Sequence, residues 1–218
     1  MDRLKILQRV YRARRRAEPG WNLQSLKIME KIEATQFLRD HHKTLLGLFR
    51  QFENIGARAP ELAQGVIGEI VMQLEIYSTL ESEIWYPRLN ELASGEDSEL
   101  RSLIGQGESE LRDLTPLLAS LKGYRPEGAE FRALYDELVG NAENLFTFEE
   151  TELFPYVGKI LKDPSHHGGG GAHQHGIAQQ LEQRRKELFA LPQYRTVLPE
   201  VVQNPNGGEQ MRTTRGAA

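Results

Sequence analysis

From about Leu23 to Leu161 the chain places apolar residues three and four positions apart almost without relief, a period that suits helices and leaves no room for strands. Glycine and proline divide the run. The first segment extends from about Leu23 to Ile55, with a break expected near Ala34, and turns Phe37, Leu38, Leu45, Leu48, Phe49 and Phe52 inward before Gly56 and Pro60. The second, about Pro60 to Leu92, carries Val66, Ile70, Leu74, Tyr77, Leu80, Ile84 and Leu89, and stops at Ser94-Gly95. The third spans about Asp97 to Leu121 and ends at Gly123 and Pro126, and the fourth runs from about Ala129 to Leu161 with Phe131, Leu134, Leu138, Leu145, Phe148 and Leu153 inside. Four such helices, each about 35 to 50 Å long at roughly 1.5 Å per residue, joined by short turns, predict an all-α antiparallel up-and-down four-helix bundle over residues 34–162.

The flanks read differently. Residues 1–20 hold seven Lys or Arg against Asp2 and Glu18, a balance of +5, whereas the remainder has 20 basic against 29 acidic residues, or −9. Within residues 1–33, Leu4, Leu7 and Tyr11 recur at helical spacing beside Arg3, Lys5, Arg9, Arg12 and Arg14 to Arg16, which predicts a basic amphipathic helix. Residues 3–16 are suited to an anionic membrane surface or a protein partner, or to packing back on the acidic bundle. No specific nucleic-acid signal accompanies them. After Asp163-Pro164, a Gly/His-rich linker is expected over 163–176, then a C-terminal helix over 177–191 and a disordered tail over 192–218. Four histidines of that linker, His166, His167, His173 and His175, are able to chelate metals opportunistically, but glycine freedom makes a fixed geometry costly.

Composition narrows the chemistry. With no cysteine, there is no disulfide, thiolate ligand, iron-sulfur cluster or cysteine nucleophile, so any metal must sit on His, Glu, Asp or Tyr. No window reaches the roughly 18 consecutive apolar residues of a spanning helix, and no secretory signal is recognisable. A cytoplasmic protein, with peripheral membrane attachment as a variant, is the expectation. Phosphate loops, nucleophile elbows and zinc-hydrolase helices are absent from the sequence.

An internal repeat at an offset of 68 residues is the most informative feature. Tyr77 to Pro87 reads Y-S-T-L-E-S-E-I-W-Y-P, and Leu145 to Pro155 reads L-F-T-F-E-E-T-E-L-F-P. Thr79 matches Thr147, Glu81 matches Glu149, and Trp85-Tyr86-Pro87 matches Leu153-Phe154-Pro155. A proline deep in a helix removes a backbone donor, so its recurrence beside an acidic turn points to a shared architectural device. Glu81 lies one turn after Tyr77 and Glu149 one turn after Leu145, which aims both carboxylates at the bundle interior.

At these residues the sequence resembles the hemerythrin-like HHE cation-binding family of four-helix bundles. That family's L-R-D-x-H and L-F-x-x-F-E pattern is matched by Leu38 to His42 and Leu48 to Glu53. Its H-x-x-x-E-E-x-x-x-Y/F-P pattern on the second and fourth helices is matched in part from Tyr77 to Pro87 and from Leu145 to Pro155. The resemblance covers about Ala34 to Leu161. It implies a core able to hold a non-haem di-iron centre of histidines and bridging carboxylates, with a position for oxygen or another small ligand.

Carried over residue by residue, the resemblance leaves an incomplete ligand set. His42 matches the first-helix histidine, and Glu81 and Glu149 match the carboxylates. Tyr77 replaces the second-helix histidine and Leu145 the fourth. No histidine stands where the third helix should supply one, near Glu108 to Leu111; Glu108 and Glu110 are the only oxygen donors there. Tyrosinate can replace imidazole at ferric iron, whereas leucine has no lone pair. Two arrangements of the survivors follow: a metal-free network in which phenol and imidazole serve buried carboxylates, or a reduced metal site on His42, Tyr77, Glu81 and Glu149. His41 is expected to turn about 100° away, toward solvent or an interface. The expected function is a non-enzymatic binding, regulatory or scaffold protein with a degenerate metal site. The alternative is a non-haem protein of one or two irons that binds or senses oxygen, nitric oxide or iron, or performs iron-dependent oxidation.

Overall fold

A computed structural model describes residues 33–55, 59–93, 97–122, 128–161 and 170–195 of the 218. Among them the secondary structure is helical, with no strand. The first rod is α1 (Ala34–Ile55). The second comprises α2 (Pro60–Leu80), a π-turn over Glu81–Trp85 and α3 (Tyr86–Leu92). The third is α4 (Ser98–Leu121). The fourth comprises α5 (Ala129–Phe148), a second π-turn over Glu149–Leu153 and α6 (Phe154–Ile160). A fifth helix, α7 (Gly170–Ala190), and a short α8 (Pro192–Arg195) follow.

Local chemistry sets the ends of the rods. Pro60 starts α2, where its missing N–H is not needed. Asp97 caps α4 by accepting from the Leu100 amide at 2.9 Å, a contact that contributes about 1 kcal/mol. Gly128, at φ 100°, supplies the left-handed residue that lets the chain enter α5. The rods close a square: α1 packs on α2, the second rod on α4, α4 on α5, and α5 back on α1. Phe37, Leu38, Leu45, Phe49, Phe52, Val66, Ile70, Leu74, Leu138 and Leu153 all lie in one buried apolar cluster, as their spacing predicts.

The repeated acidic turn has a structural meaning beyond the expected proline bend. Each copy is a π-turn in which the amide before the proline bonds five residues back: Tyr86 N–H to the Glu81 carbonyl, and Phe154 N–H to the Glu149 carbonyl. Pro87 and Pro155 follow immediately and have no N–H to continue that register, so helical bonding reverts to the α pattern. Glu81 and Glu149 are the first residues of the two turns, and neither side chain is exposed.

Two expectations need correction at the C-terminal end. The linker foreseen over 163–176 is helical from Gly170 onward, and the tail foreseen from 192 begins with the helical turn of α8. The physical reason is tertiary: Ile177, Ala178, Leu181 and Leu188 are buried against α1, α2 and the first π-turn, and that apolar contact orders a segment whose own composition is unfavourable to helix. Arg184 also forks onto Glu83, with bonds of 2.7 and 3.2 Å, but such half-exposed pairs contribute only about 0 to 1 kcal/mol, so the apolar seam dominates. The basic leader of residues 3–16, His166 and His167, and the tail from 196 lie outside the described residues.

Candidate metal centre

The four residues singled out by sequence come from three rods. His42 projects from α1, Tyr77 from α2, and Glu81 and Glu149 from the two π-turns; none of them is exposed to solvent. Three of them meet directly. His42 Nε2 lies 3.2 Å from the Tyr77 hydroxyl and 3.1 Å from Glu149 Oε2, and the Tyr77 hydroxyl donates to the same Oε2 at 2.5 Å. The imidazole stacks near-parallel with Phe146, at 4.2 Å, and with Phe154, at 5.8 Å, and these rings restrict its plane.

Glu81 lies outside this triangle. Its carboxyl lies against that of Glu149, and no other side chain bonds to either of its oxygens. Burial, and then the neighbouring Glu149, push its pKa well above the ordinary carboxylate range, so Glu81 is the group that holds a proton. The Tyr77 phenol is likewise pushed up, by burial first and by Glu149 and Glu81 next.

Three contributors were not recognised in the sequence. Tyr86 donates to Glu149 Oε1 at 2.8 Å, so both oxygens of that carboxylate accept a phenolic proton. Its pKa is raised, again chiefly by burial and then by Glu149 and Glu81. Glu150 receives His42 Nδ1 at 2.9 Å and, being 38% exposed, joins the network to solvent. Gly107 of α4 gives Tyr86 its room, because a Cβ there would overlap the phenol oxygen and lie 2.9 Å from Cε1 and Cζ. The third rod therefore brings space where the resemblance implies a histidine. Glu108 instead takes a long 3.4 Å bond from Asn90, and Glu110 accepts from Gln106 at 3.0 Å. The signals were faint: in the repeat, Tyr86 answers to Phe154 and Glu150 to Ser82, so neither recurs.

His41 does not face solvent. It is 4% exposed, meets the Tyr77 ring edge-on at 5.5 Å, and faces buried Gln73. Desolvation, with help from Arg185 and His42, lowers its pKa to about 3 and keeps it neutral. The cause is α7, which packs on α1 and lays Arg185 over the Phe37 ring at 4.8 Å, one turn from His41. His175 is part of the same helix, 2.9 Å from Gln179.

These residues do not fit a two-ion centre. Leu145, fully buried, fills the fourth-rod ligand position without a lone pair. Both nitrogens of His42 and both oxygens of Glu149 are engaged by other side chains. Among the described residues, no three His, Asp or Glu side chains converge to hold a metal ion. The same residues have no helix long and apolar enough to cross a membrane.

Comparison with known proteins gives three findings. The model of the hemerythrin HHE cation-binding domain matches residues 33–157. The fold is similar to the crystal structure of a hemerythrin HHE cation-binding domain-containing protein from Mycobacterium kansasii, with a TM-score of 0.57 and 17% identity, covering 82% of this chain and 95% of that one. No curated protein matches the sequence.

Proposed function

Because the chain belongs to the hemerythrin HHE cation-binding domain family, we propose that it is a member whose two-metal centre has given way to a hydrogen-bonded network, and that it serves as a binding, regulatory or scaffold protein. One observation carries this reading: the phenols of Tyr77 and Tyr86 direct their protons at both oxygens of Glu149, the carboxylate expected to bridge the ions. Leu145 adds to it by presenting an apolar surface at a ligand position. His42 then connects Glu149 to Glu150, and the two π-turns hold the carboxylates in place. The apolar rods keep this arrangement standing without a metal.

A second reading has its own support. His42 Nε2, the Tyr77 oxygen and Glu149 Oε2 form a triangle with edges of 2.5, 3.1 and 3.2 Å. Metal bonds of roughly 2.0 to 2.2 Å spread neighbouring donors about 3 Å apart, so the two longer edges suit one cation. A bound iron would supply redox or small-ligand chemistry there, with His42 as neutral ligand, Tyr77 as phenolate and the glutamates as charge balance.

Metal content after anaerobic iron loading and desalting separates the two, with absorption recorded on exposure to air. The tag-free chain is compared with a chain lacking residues 166–175, which removes His166, His167, His173 and His175. No retained metal supports the network. One ion per chain, with a tyrosinate-to-iron band and loss in Glu149→Ala, supports the second reading. Two irons with oxo-to-iron absorption would overturn both.

A further inference from the structure

Between the second rod and α4 lies a solvent-open cleft of about 710 Å³. Lys122 pairs with Glu75 at one end, and Glu108 accepts from Asn90 at the other. The walls between these ties carry small polar side chains, with Ser78, Thr79 and Ser82 on one and Thr115 beside Arg112 on the other. Thr79 and Ser82 have given their hydroxyl protons to the Glu75 and Ser78 carbonyls of their own rod, at 2.8 Å each, so they present acceptors to the cleft. Arg112 presents donors and a charge, and no carboxylate among the described residues pairs with it. Acceptors on one wall and an unpaired cation on the other suit an extended peptide, whose N–H groups meet the hydroxyl oxygens while one carboxylate meets the guanidinium.

The chain leads such a segment to the mouth of the cleft. Tyr194 of α8 borders it at the Lys122 end, against Glu75. Beyond Arg195 the sequence reads Thr196-Val197-Leu198-Pro199-Glu200-Val201-Val202. Pro199 disfavours helix at Leu198, and the β-branched residues favour extended backbone. Glu200 is the first carboxylate of the segment. Arg112 lies ten positions from Lys122, about 15 Å along α4 at roughly 1.5 Å per residue. The six residues from Tyr194 to Glu200 reach about 20 Å when extended, enough to close that distance. A smaller cleft of about 260 Å³, lined by Gln64, Ile67, Val71 and Met72, also borders Tyr194, but Lys122, the cation there, is already paired with Glu75.

We propose that the larger cleft is the docking site of the chain's own residues 196–200, with Glu200 on Arg112. The site is then occupied in cis, and a partner that presents an extended acidic segment must displace it to bind. This assignment holds under either reading of the metal centre, because none of the residues it uses belongs to that centre.

The chain has no cysteine, so a cross-link reports only the pair introduced. In the full chain, Leu198→Cys is combined with Thr115→Cys in the larger cleft or with Gln64→Cys in the smaller one. Thr115, Gln64 and Arg112 are exposed, so these changes leave the core untouched. Disulfide formation under mild oxidation is followed by non-reducing electrophoresis and peptide mapping. The Thr115 pair is expected to close within one chain faster than the Gln64 pair. It should slow to the rate of the Gln64 pair when Arg112→Glu is added, and recover when Glu200→Arg is added as well. Equal rates for the two pairs overturn the proposal, as does a Thr115 pair that is indifferent to Arg112→Glu or is not rescued by Glu200→Arg. Disulfides that join two chains would give the cleft to the segment of a second copy and overturn the assignment in cis.

Discussion

Gly107→Ala, set against Gly105→Ala on the same helix, tests whether Tyr86 is locked in place by the third rod. Both changes gain up to about 1 kcal/mol in helix propensity. At Gly105 the new methyl meets nothing within 4 Å, so that gain should appear as added stability. At Gly107 the methyl would overlap the Tyr86 oxygen and stand 2.9 Å from Cε1 and Cζ, well inside ordinary contact. Overpacking of this kind costs about 1 to 3 kcal/mol. A ring that swings clear relieves the overlap but gives up the bond to Glu149, a loss of about 1.5 to 3 kcal/mol for a charged partner. These costs are alternatives, and the propensity gain cancels between the two variants. Their stabilities should therefore differ by about 1 to 3 kcal/mol. With an m-value of roughly 2 kcal/mol/M, the urea midpoints should lie about 0.5 to 1.5 M apart. The assay is urea unfolding followed by circular dichroism, repeated in a Tyr86→Phe background, where part of the gap should close. Equal midpoints for the two alanine variants would refute the reasoning.

Two further predictions concern pH. Glu81 holds a proton in the folded chain that the unfolded chain releases above about pH 4.5, so stability should fall as pH rises through that value, by up to about 1.4 kcal/mol per unit until the folded pKa is reached. Glu81→Gln should abolish that slope in urea unfolding at stepped pH; an unchanged slope would mean that Glu81 is ionised in the fold. His41 acts with the opposite sign: the unfolded chain gains a proton below 6.5 while the folded one resists until about 3, so stability is lost as pH falls across that window. His41→Leu should unfold at lower pH than the parent, and acid titration followed by circular dichroism would show it.

The sequence by itself determined the architecture and picked out buried polar residues that meet in the core. Apolar spacing fixed four rods because a helix must bury one face, and the 68-residue repeat located both carboxylates because a motif that recurs in two helices marks equivalent positions. His42, Tyr77 and Glu149 do come together, and Leu145 is buried at the expected ligand position. What only the tertiary structure decided are the contacts made across rods without a sequence period. Tyr86 finds Glu149 because Gly107, 21 positions later, leaves room for its ring. Glu150 finds His42 because the π-turn inserts an extra residue and re-aims the side chain. His41 becomes buried because α7, lying outside the family match, folds back over α1. Each depends on which surfaces meet in space, and local spacing carries no record of that.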